Sequence, residues 1–362
     1  MTAPRLRLNL DALARNYHTL RQCSSYPMPP DQAGAVVKAD AYGLGIAEVS
    51  NRLWQEGCRR FFVALAQEGV QLRQLLPSAQ IYVLAGATAA TINDLRDHGL
   101  LPVLNSIGQC ALWADRSDEP AALHIDTGMH RLGLPSDLDY TKLPPLNLEL
   151  VMTHFSRADE IGHAVTAEQY KRFQQCVETL QRLQGPFLIS ANNTAAVLSR
   201  LGPFDSVSRW VDRLGIGLYG VNPQHETAPS PDAQPLSTVA TLEAEVLQVR
   251  SVDSGVSVGY GGTYQTAKPI RLATVSAGYA DGVPRLLSNR GHVGFQGEEL
   301  AIVGRISMDS LVVELPESSL LKAGDWVEIY GPNIPVHTVA SQAQTISYEI
   351  FTRIGPRIQR VS

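Results

Sequence analysis

The sequence predicts an α/β chain in two parts. One is an N-terminal (β/α)8 TIM barrel over residues 11–225; the other is a C-terminal, mainly antiparallel β domain made of residues 1–10 plus 236–362. Three observations predict this. Short apolar runs alternate with amphipathic stretches about eight times in roughly 200 residues, a rhythm that fits a closed parallel barrel better than an open doubly wound sheet. The stretch Asn222–Thr238, NPQHETAPSPDAQPLST, then breaks the pattern with Pro, Ser, Thr and Ala, as a linker does. Beyond it, short apolar runs separated by Gly, Asp and Asn turns mark antiparallel strands.

Taken in order, Arg5–Leu10 (RLRLNL) alternates like a half-buried strand and is expected to join the C-terminal domain, with a helix over Asp11–Gln22 leading into the barrel. Barrel strands are expected at Gly34–Lys38, Phe61–Ala64, Gln80–Leu84, Leu100–Leu104, Ala121–Asp126, Leu148–His154, Phe187–Ser190 and, more loosely, Ser206–Gly215. Helical patterns fall between them at Ile46–Glu56, Gln67–Leu76, Ala89–His98, Thr166–Leu183 and Thr194–Leu201. In the second part, strands are expected at Val239–Arg250, Arg271–Ser276, His292–Phe295, Glu299–Val303, Leu311–Leu315 and Asp325–Ile329.

Composition narrows the function classes. With 44 % hydrophobic and 18 % charged residues and a net charge of −5, the chain has no electrostatic reason to bind nucleic acid or an anionic membrane. Neither a basic-then-apolar leader at Met1–Asn9 nor an apolar run of about 18 residues is present, so a cytoplasmic location is expected. Cys23, Cys58, Cys110 and Cys176 are scattered without metal-ligand spacing, which predicts reduced thiols and no metal.

Only five of the 30 basic residues are lysines, and Lys38 alone closes a β-branched run, Ala35-Val36-Val37. In a barrel, active-site groups sit at the C-terminal ends of the strands. The polar residues expected there are Lys38, Asp126 with Arg131, His154, Asn192, Asn193 and Arg213. A strand-end lysine facing such a cluster suits a Schiff base to a phosphorylated aldehyde; a lysine snorkelling from a strand edge suits the spacing equally well. Residues 215–220, GIGLYG, match the glycine pattern of dinucleotide-binding turns. The pattern works only when a helix follows, and here Val221-Asn222-Pro223 and the linker follow. Exposed backbone N–H groups after a barrel's last strand suit a phosphate instead.

The motif AVVKADAYGLG (35–45) resembles the pyridoxal-phosphate lysine motif of bacterial alanine racemases. Eight further signatures follow in that family's order: HIDTGMHRLGL (124–134), MTHFSRADE (152–160), NNTAAVL (192–198), DRLGIGLYG (212–220), SVGYGGTY (257–264), SAGYADGVPR (276–285), VGRISMDS (303–310) and SYEI (347–350). The resemblance implies pyridoxal 5'-phosphate as cofactor, alanine as substrate, D-alanine for peptidoglycan as the product's use, and a homodimer with shared active sites. Lys38 resembles the cofactor-bound lysine and one of two bases, and Tyr279 resembles the second base, which in the family comes from the partner subunit. Tyr42, Asn193, Thr194, the backbone of Gly215 and Ile216, and Tyr348 match cofactor-binding positions, the phosphate site among them. Arg213 resembles the arginine at the pyridine nitrogen, His154 the histidine near the ring, and Arg131 and Met308 the residues that hold the substrate carboxylate.

The chemistry agrees with these roles. Racemisation removes a proton from one face of Cα and delivers one to the other, so one base on each face completes it without moving the substrate. An arginine at the ring nitrogen keeps its own proton, since its pKa lies above about 12. This sequence also departs from the family. His124 replaces a lysine that is carbamylated in many members and braces the arginine matched by Arg131, leaving a bound anion or His124 itself for that task. Asp40, Leu44, Ser190, Thr194 and Ser347 replace commoner residues. Rival readings are a racemase of serine or of broader specificity, a single-barrel pyridoxal-phosphate carrier, and a GIGLYG dehydrogenase. The carrier class lacks the domain that holds Tyr279 and Met308.

Overall fold

The computed structural model describes residues 2–26, 28–115, 118–204, 209–224 and 236–361. Most of the expected linker and the start of the looser strand at 206–215 lie outside the described residues. Strand β1 (Arg5–Leu8) and helix α1 (Leu10–Cys23) open the chain; the Asn9 side chain accepts the N–H of Ala12 and caps the helix.

Eight parallel strands form the barrel: β2 (Ala33–Val36), β3 (Arg60–Val63), β4 (Gln80–Val83), β5 (Leu101–Leu104), β6 (Pro120–Asp126), β8 (Asn147–Met152), β9 (Leu188–Ser190) and β10 (Asp212–Leu214), with the two-residue β7 (Leu134–Pro135) beside β6. Neighbours follow chain order and β10 returns to pair with β2. The seam between β9 and β10 is closed by a parallel bridge from Ile189 to Trp210 and by the N–H of Val211 on the Ile189 carbonyl at 2.8 Å. These strands are buried along nearly their whole length, as parallel strands under helices must be.

The helices are α2 (Lys38–Tyr42), α3 (Ile46–Gln55), α4 (Ala66–Leu75), α5 (Ile92–Asp97), α6 (Ile107–Ala114), α7 (Ala164–Gln184) and α8 (Thr194–Leu198). The longest, α7, buries Thr166, Gln169, Phe173, Cys176, Val177 and Leu180, a stripe at helical spacing. The spacing of Ile107–Ala114 gives no warning of α6, whose N-terminus is capped by Ser106. Segment α2 is the largest departure from expectation, because its turn is left-handed.

The C-terminal domain centres on the long strand β11 (Ala240–Val252), which pairs antiparallel with β1, with β14 (Ile270–Val275) and with β18 (Trp326–Tyr330). A hairpin of β12 (Ser257–Val258) and β13 (Tyr264–Gln265), with β15 (His292–Phe295), β16 (Glu298–Ala301) and β17 (Leu311–Leu315), extends the antiparallel pattern. The last strand, β19 (Gln359–Val361), runs parallel to β1 and is the exception. Helices at Val336–Gln342 and Ser347–Thr352 are not foreseen by strand spacing, and the second packs against α2 at the barrel mouth through Tyr348 and Phe351. One continuous apolar core runs through both parts.

Candidate active site

A cavity of about 690 Å³ opens at the C-terminal ends of the barrel strands. Of the twelve residues matched to roles in the family, ten line it: Lys38, Tyr42, Arg131, His154, Asn193, Thr194, Arg213, Gly215, Ile216 and Tyr348; Asp126 and Asn192, also expected at strand ends, do not. Nor do Tyr279 and Met308. Both stand exposed on the C-terminal domain of the same chain, at 44 % and 52 %.

Lys38 follows β2 directly, and the chain then turns left-handed through four consecutive non-glycine residues. Their φ values are 54° at Ala39 and Asp40, 53° at Ala41 and 60° at Tyr42, with Gly43 continuing at 82°. Left-handed backbone costs L-residues about 1–2 kcal/mol each, so the turn persists only where its surroundings hold it. The N–H of Ala39 donates to Glu68 Oε1 at 2.6 Å, and that of Ile46 to Asp40 Oδ1 at 2.8 Å. Arg360 reaches from β19 to Asp40 Oδ2 and to the Gly43 carbonyl. A Cβ on Gly43 would lie 2.4 Å from the Phe351 carbonyl oxygen, so only glycine allows the C-terminal domain this close. Leu44, unexplained by sequence, is fully buried.

Burial, and then the guanidinium of Arg131, hold the Lys38 amine below the ordinary lysine range; Glu68 opposes them. A lower pKa raises the share of neutral, proton-accepting amine. Tyr42 is pushed the other way by burial and keeps its phenolic proton, which makes its hydroxyl a donor.

That hydroxyl faces the end of β10. A Cβ on Gly215 would stand 2.9 Å from Tyr42 Oη, so the glycine keeps a hollow open there. Thr194 Oγ1 accepts the N–H of Gly215 at 2.9 Å, and Asn193 Oδ1 caps α8 through the N–H of Ala196 at 3.0 Å. The first-turn N–H groups of Thr194 and Ala195 have no intrahelical acceptor and border the same cavity. Around one hollow stand a hydroxyl donor and main-chain N–H groups, a donor set that fits a phosphate. A short 3-10 turn (Ile216–Tyr219) follows Gly215, and the helix that a dinucleotide turn requires is missing there.

Arg213 is 4 % exposed and its terminal nitrogens are fully engaged. Nη1 donates to the Ser190 carbonyl and hydroxyl at 2.9 and 2.6 Å; Nη2 donates to the Thr153 carbonyl at 2.6 Å, to the Ala191 carbonyl at 3.2 Å and to His154 Nδ1 at 3.3 Å. Nε remains as the donor without a partner among the described residues. Burial brings this guanidinium down to about 10, still charged near neutrality. Because arginine has no acceptor, its contact fixes His154 as the tautomer protonated on Nε2.

His124 has the opposite tautomer. Asn105 Nδ2 donates to the carbonyls of Leu84 and Val103, so its Oδ1 must accept, and His124 Nδ1 donates to it at 2.8 Å. Burial and Arg213 lower His124 to about 4, and the same two causes with Arg131 hold His154 well below the ordinary histidine range. Both imidazoles are neutral, and the cavity's positive charge rests on Lys38, Arg131 and Arg213. Arg131 has no side-chain hydrogen bond or ion pair among the described residues, so His124 is hydrogen-bonded to Asn105 and not to Arg131.

The loop that carries Arg131 is shaped by Asp126, whose Oδ1 accepts the N–H groups of Gly128, Met129 and His130. Gln169 on α7, nearly fully buried, ties that loop to the next: Nε2 reaches Thr127 Oγ1 and the His154 carbonyl, and Oε1 accepts from Ser156. Sequence reasoning missed Glu68, Asn105 and Gln169. Asn105 was within reach, as a polar residue ending a strand; Gln169 gives no signal on a helix of ordinary polarity.

Tyr279 is exposed but its backbone is not free. Its N–H donates to the Ser307 carbonyl at 3.1 Å, and the N–H of Ala280 to the Met308 carbonyl at 3.0 Å. Asp281, 1 % exposed, accepts the N–H of Gly278 and pairs with Arg357.

Two family models cover the chain, alanine racemase N-terminal domain at residues 8–223 and alanine racemase C-terminal domain at 239–362. The chain belongs to the alanine racemase family. It is 40 % identical to the alanine racemase of Brucella abortus (strain 2308), over 98 % of this chain and 92 % of that one. The catabolic alanine racemase of Rhizobium johnstonii is also 40 % identical, over 98 % of this chain and 93 % of that protein. Among solved structures, the alanine racemase of Bartonella henselae with covalently bound pyridoxal phosphate superposes with a TM-score of 0.88 at 34 % identity, covering 100 % of this chain and 99 % of that one.

Proposed function

We propose that this protein interconverts L- and D-alanine with pyridoxal 5'-phosphate, using Lys38 of one chain and Tyr279 of a second copy as bases on opposite faces of Cα. One observation carries the reading: the strand-end amine of Lys38 shares a cavity with a phosphate-shaped hollow and with a buried, charged arginine. In this reading Tyr42, Thr194 and the N–H groups of Ile216 and Ala195 would hold the phosphate, with Gly215 keeping the hollow open and its own N–H tied to Thr194. Asn193 supports them by capping α8, Tyr348 packs beside Tyr42, Arg213 Nε meets the ring nitrogen, and His154 lies near the ring. Bound, the cofactor supplies an electron-withdrawing ring in conjugation with the substrate nitrogen, which acidifies Cα–H.

The chain's own groups do the rest. Arg131 attracts the substrate carboxylate, with Met308 of the second copy alongside. The Lys38 amine accepts the proton from one face of Cα, and the Tyr279 hydroxyl gives one to the other; the reverse direction exchanges the two roles. Arg213 keeps its proton throughout, so the ring nitrogen receives a hydrogen bond and no proton. Two neutral histidines leave the guanidiniums of Arg131 and Arg213 as the fixed cations around an anionic cofactor and substrate, a balance that favours both.

The homodimer, a cytoplasmic location and D-alanine for peptidoglycan belong to the same proposal. No helix among the described residues is long and apolar enough to cross a membrane. The deciding experiment is a racemisation assay in both directions across alanine, serine and larger amino acids, with Lys38→Ala and Tyr279→Phe as controls. Alanine is expected to turn over fastest; serine equal to or faster than alanine would overturn the substrate assignment.

A further inference from the structure

The left-handed turn after Lys38 raises a question that the cofactor contacts do not answer. The first N–H of a helical turn, of either hand, has no acceptor inside the turn. At Ala39 that donor stands one residue past the reacting lysine. Glu68 meets it at 2.6 Å with Oε1, while Oε2 accepts the N–H groups of Ala64 at 2.7 Å and Leu65 at 3.1 Å. One carboxylate therefore joins the end of β3, the start of α4 and the turn that aims Lys38 and Tyr42 into the cavity. Hydrogen bonds to an ionised acceptor are about twice as strong as neutral ones.

We propose that Glu68 is a positioning residue for Lys38: its carboxylate pins the Ala39 N–H, and through it the left-handed turn that sets both Lys38 and Tyr42. The proposal rests on the reading of Lys38 as a reacting base. Capping α4 alone uses only Oε2, at Ala64 and Leu65; the bond from Oε1 to Ala39 serves another element. The charge acts on the lysine as well. The groups that bear on the Lys38 amine are Arg131 from the loop after β6, Glu68 from α4 and the neutral His154 after β8, and Glu68 is the one that favours the charged amine. The pin and the electrostatic counterweight are thus the same carboxylate.

Two variants separate reach from charge. Glu68→Gln removes the charge and sets an NH2 group against N–H donors; Glu68→Asp keeps the charge but is one methylene too short to span both sides. Amide hydrogen exchange followed by mass spectrometry on the full-length enzyme reads the turn directly, whether or not the enzyme turns over. In both variants, exchange in residues 38–44 is expected to rise about tenfold or more, with kcat down about tenfold and KM changed far less, as expected for a misplaced reacting group. The pH at which kcat rises, which reports the amine once substrate is bound, should move lower in Glu68→Gln and stay near the parent value in Glu68→Asp. Unchanged exchange at 38–44, or a rise confined to 64–72, would show a helix cap and overturn the proposal, as would the same pH limb in all three proteins. Failure of the base assignment shows up separately, as racemisation surviving in Lys38→Ala, a result that leaves the exchange measurement intact.

Discussion

The barrel mouth and the Tyr279 face of the C-terminal domain are built in opposite ways. At the mouth, the framework side chains are sunk and tied to their own chain: Arg213 and Thr194 are 4 % and 3 % exposed, and both are hydrogen-bonded to neighbouring strand ends. On the other face the backbone is pinned, by Tyr279 N–H on Ser307 and by Asp281 under Gly278, while the side chains of Tyr279 and Met308 stand in solvent. Groups that must be aimed at a cofactor are preorganised within one chain. Groups held ready on a rigid backbone but left open are built to gain their surroundings from another surface, which in the proposed dimer is the cavity of a second copy.

The sharpest break of this comparison is at the bases. Lys38→Ala should lose at least about 10³-fold in kcat in both directions, the scale for removing a nucleophile and base. Tyr279→Phe should lose about 10²- to 10³-fold with cofactor affinity kept, since no contact in the mouth changes. Mixing the two inactive variants tests the division itself. A mixed dimer holds one site with both Lys38 and Tyr279, so activity should return on mixing; a mixture that stays inactive rules out a site shared between copies.

A second break concerns the sunk side. Burial lifts the Asp212 carboxyl to about 7 from 3.8, next to Arg213 on β10 and bonded to Trp210 Nε1 at 2.7 Å. Between pH 4 and 7 the folded chain keeps a proton that the unfolded chain has lost. Its stability therefore falls as pH rises across that window and levels off above it, by on the order of a few kcal/mol. Asp212→Asn should remove the slope, and its melting temperature relative to the parent should be higher at pH 8 than at pH 5. Thr194→Val should cost about 1–2 kcal/mol in chemical denaturation, because the Gly215 N–H loses its acceptor in a buried place. The smallest effect is expected for Arg360→Ala, where a half-exposed ion pair with Asp40 is worth about 0.5 kcal/mol.

Much of the site could be read from the sequence because barrels put chemistry at strand ends, and strand ends follow from apolar runs. That is how Lys38, His154, Asn193 and Arg213 could be named together. The turn after Lys38 could not be read. Ala39, Asp40, Ala41 and Tyr42 carry no glycine and suit an ordinary helix, in which Tyr42 would lie one turn beyond Lys38. Its left-handed form depends on Glu68, Arg360 and Phe351, which are 29, 320 and over 300 residues away. Asp40 shows the same limit at one of its two partners: the Ile46 N–H is six residues away, but Arg360 is visible only once the C-terminal strand is in place.

By itself, the sequence determined the two-part architecture, the strand-end lysine and the order of the motifs, because hydrophobic period and turn residues act over a few positions. Tertiary structure decided the protonation of the site. His124 and His154 are alike as sequence, yet Asn105 and Arg213 fix them as opposite tautomers, and burial beside arginines keeps both neutral. A proton's position depends on which dipoles and charges lie within a few ångströms, and those neighbours come together only when the barrel closes.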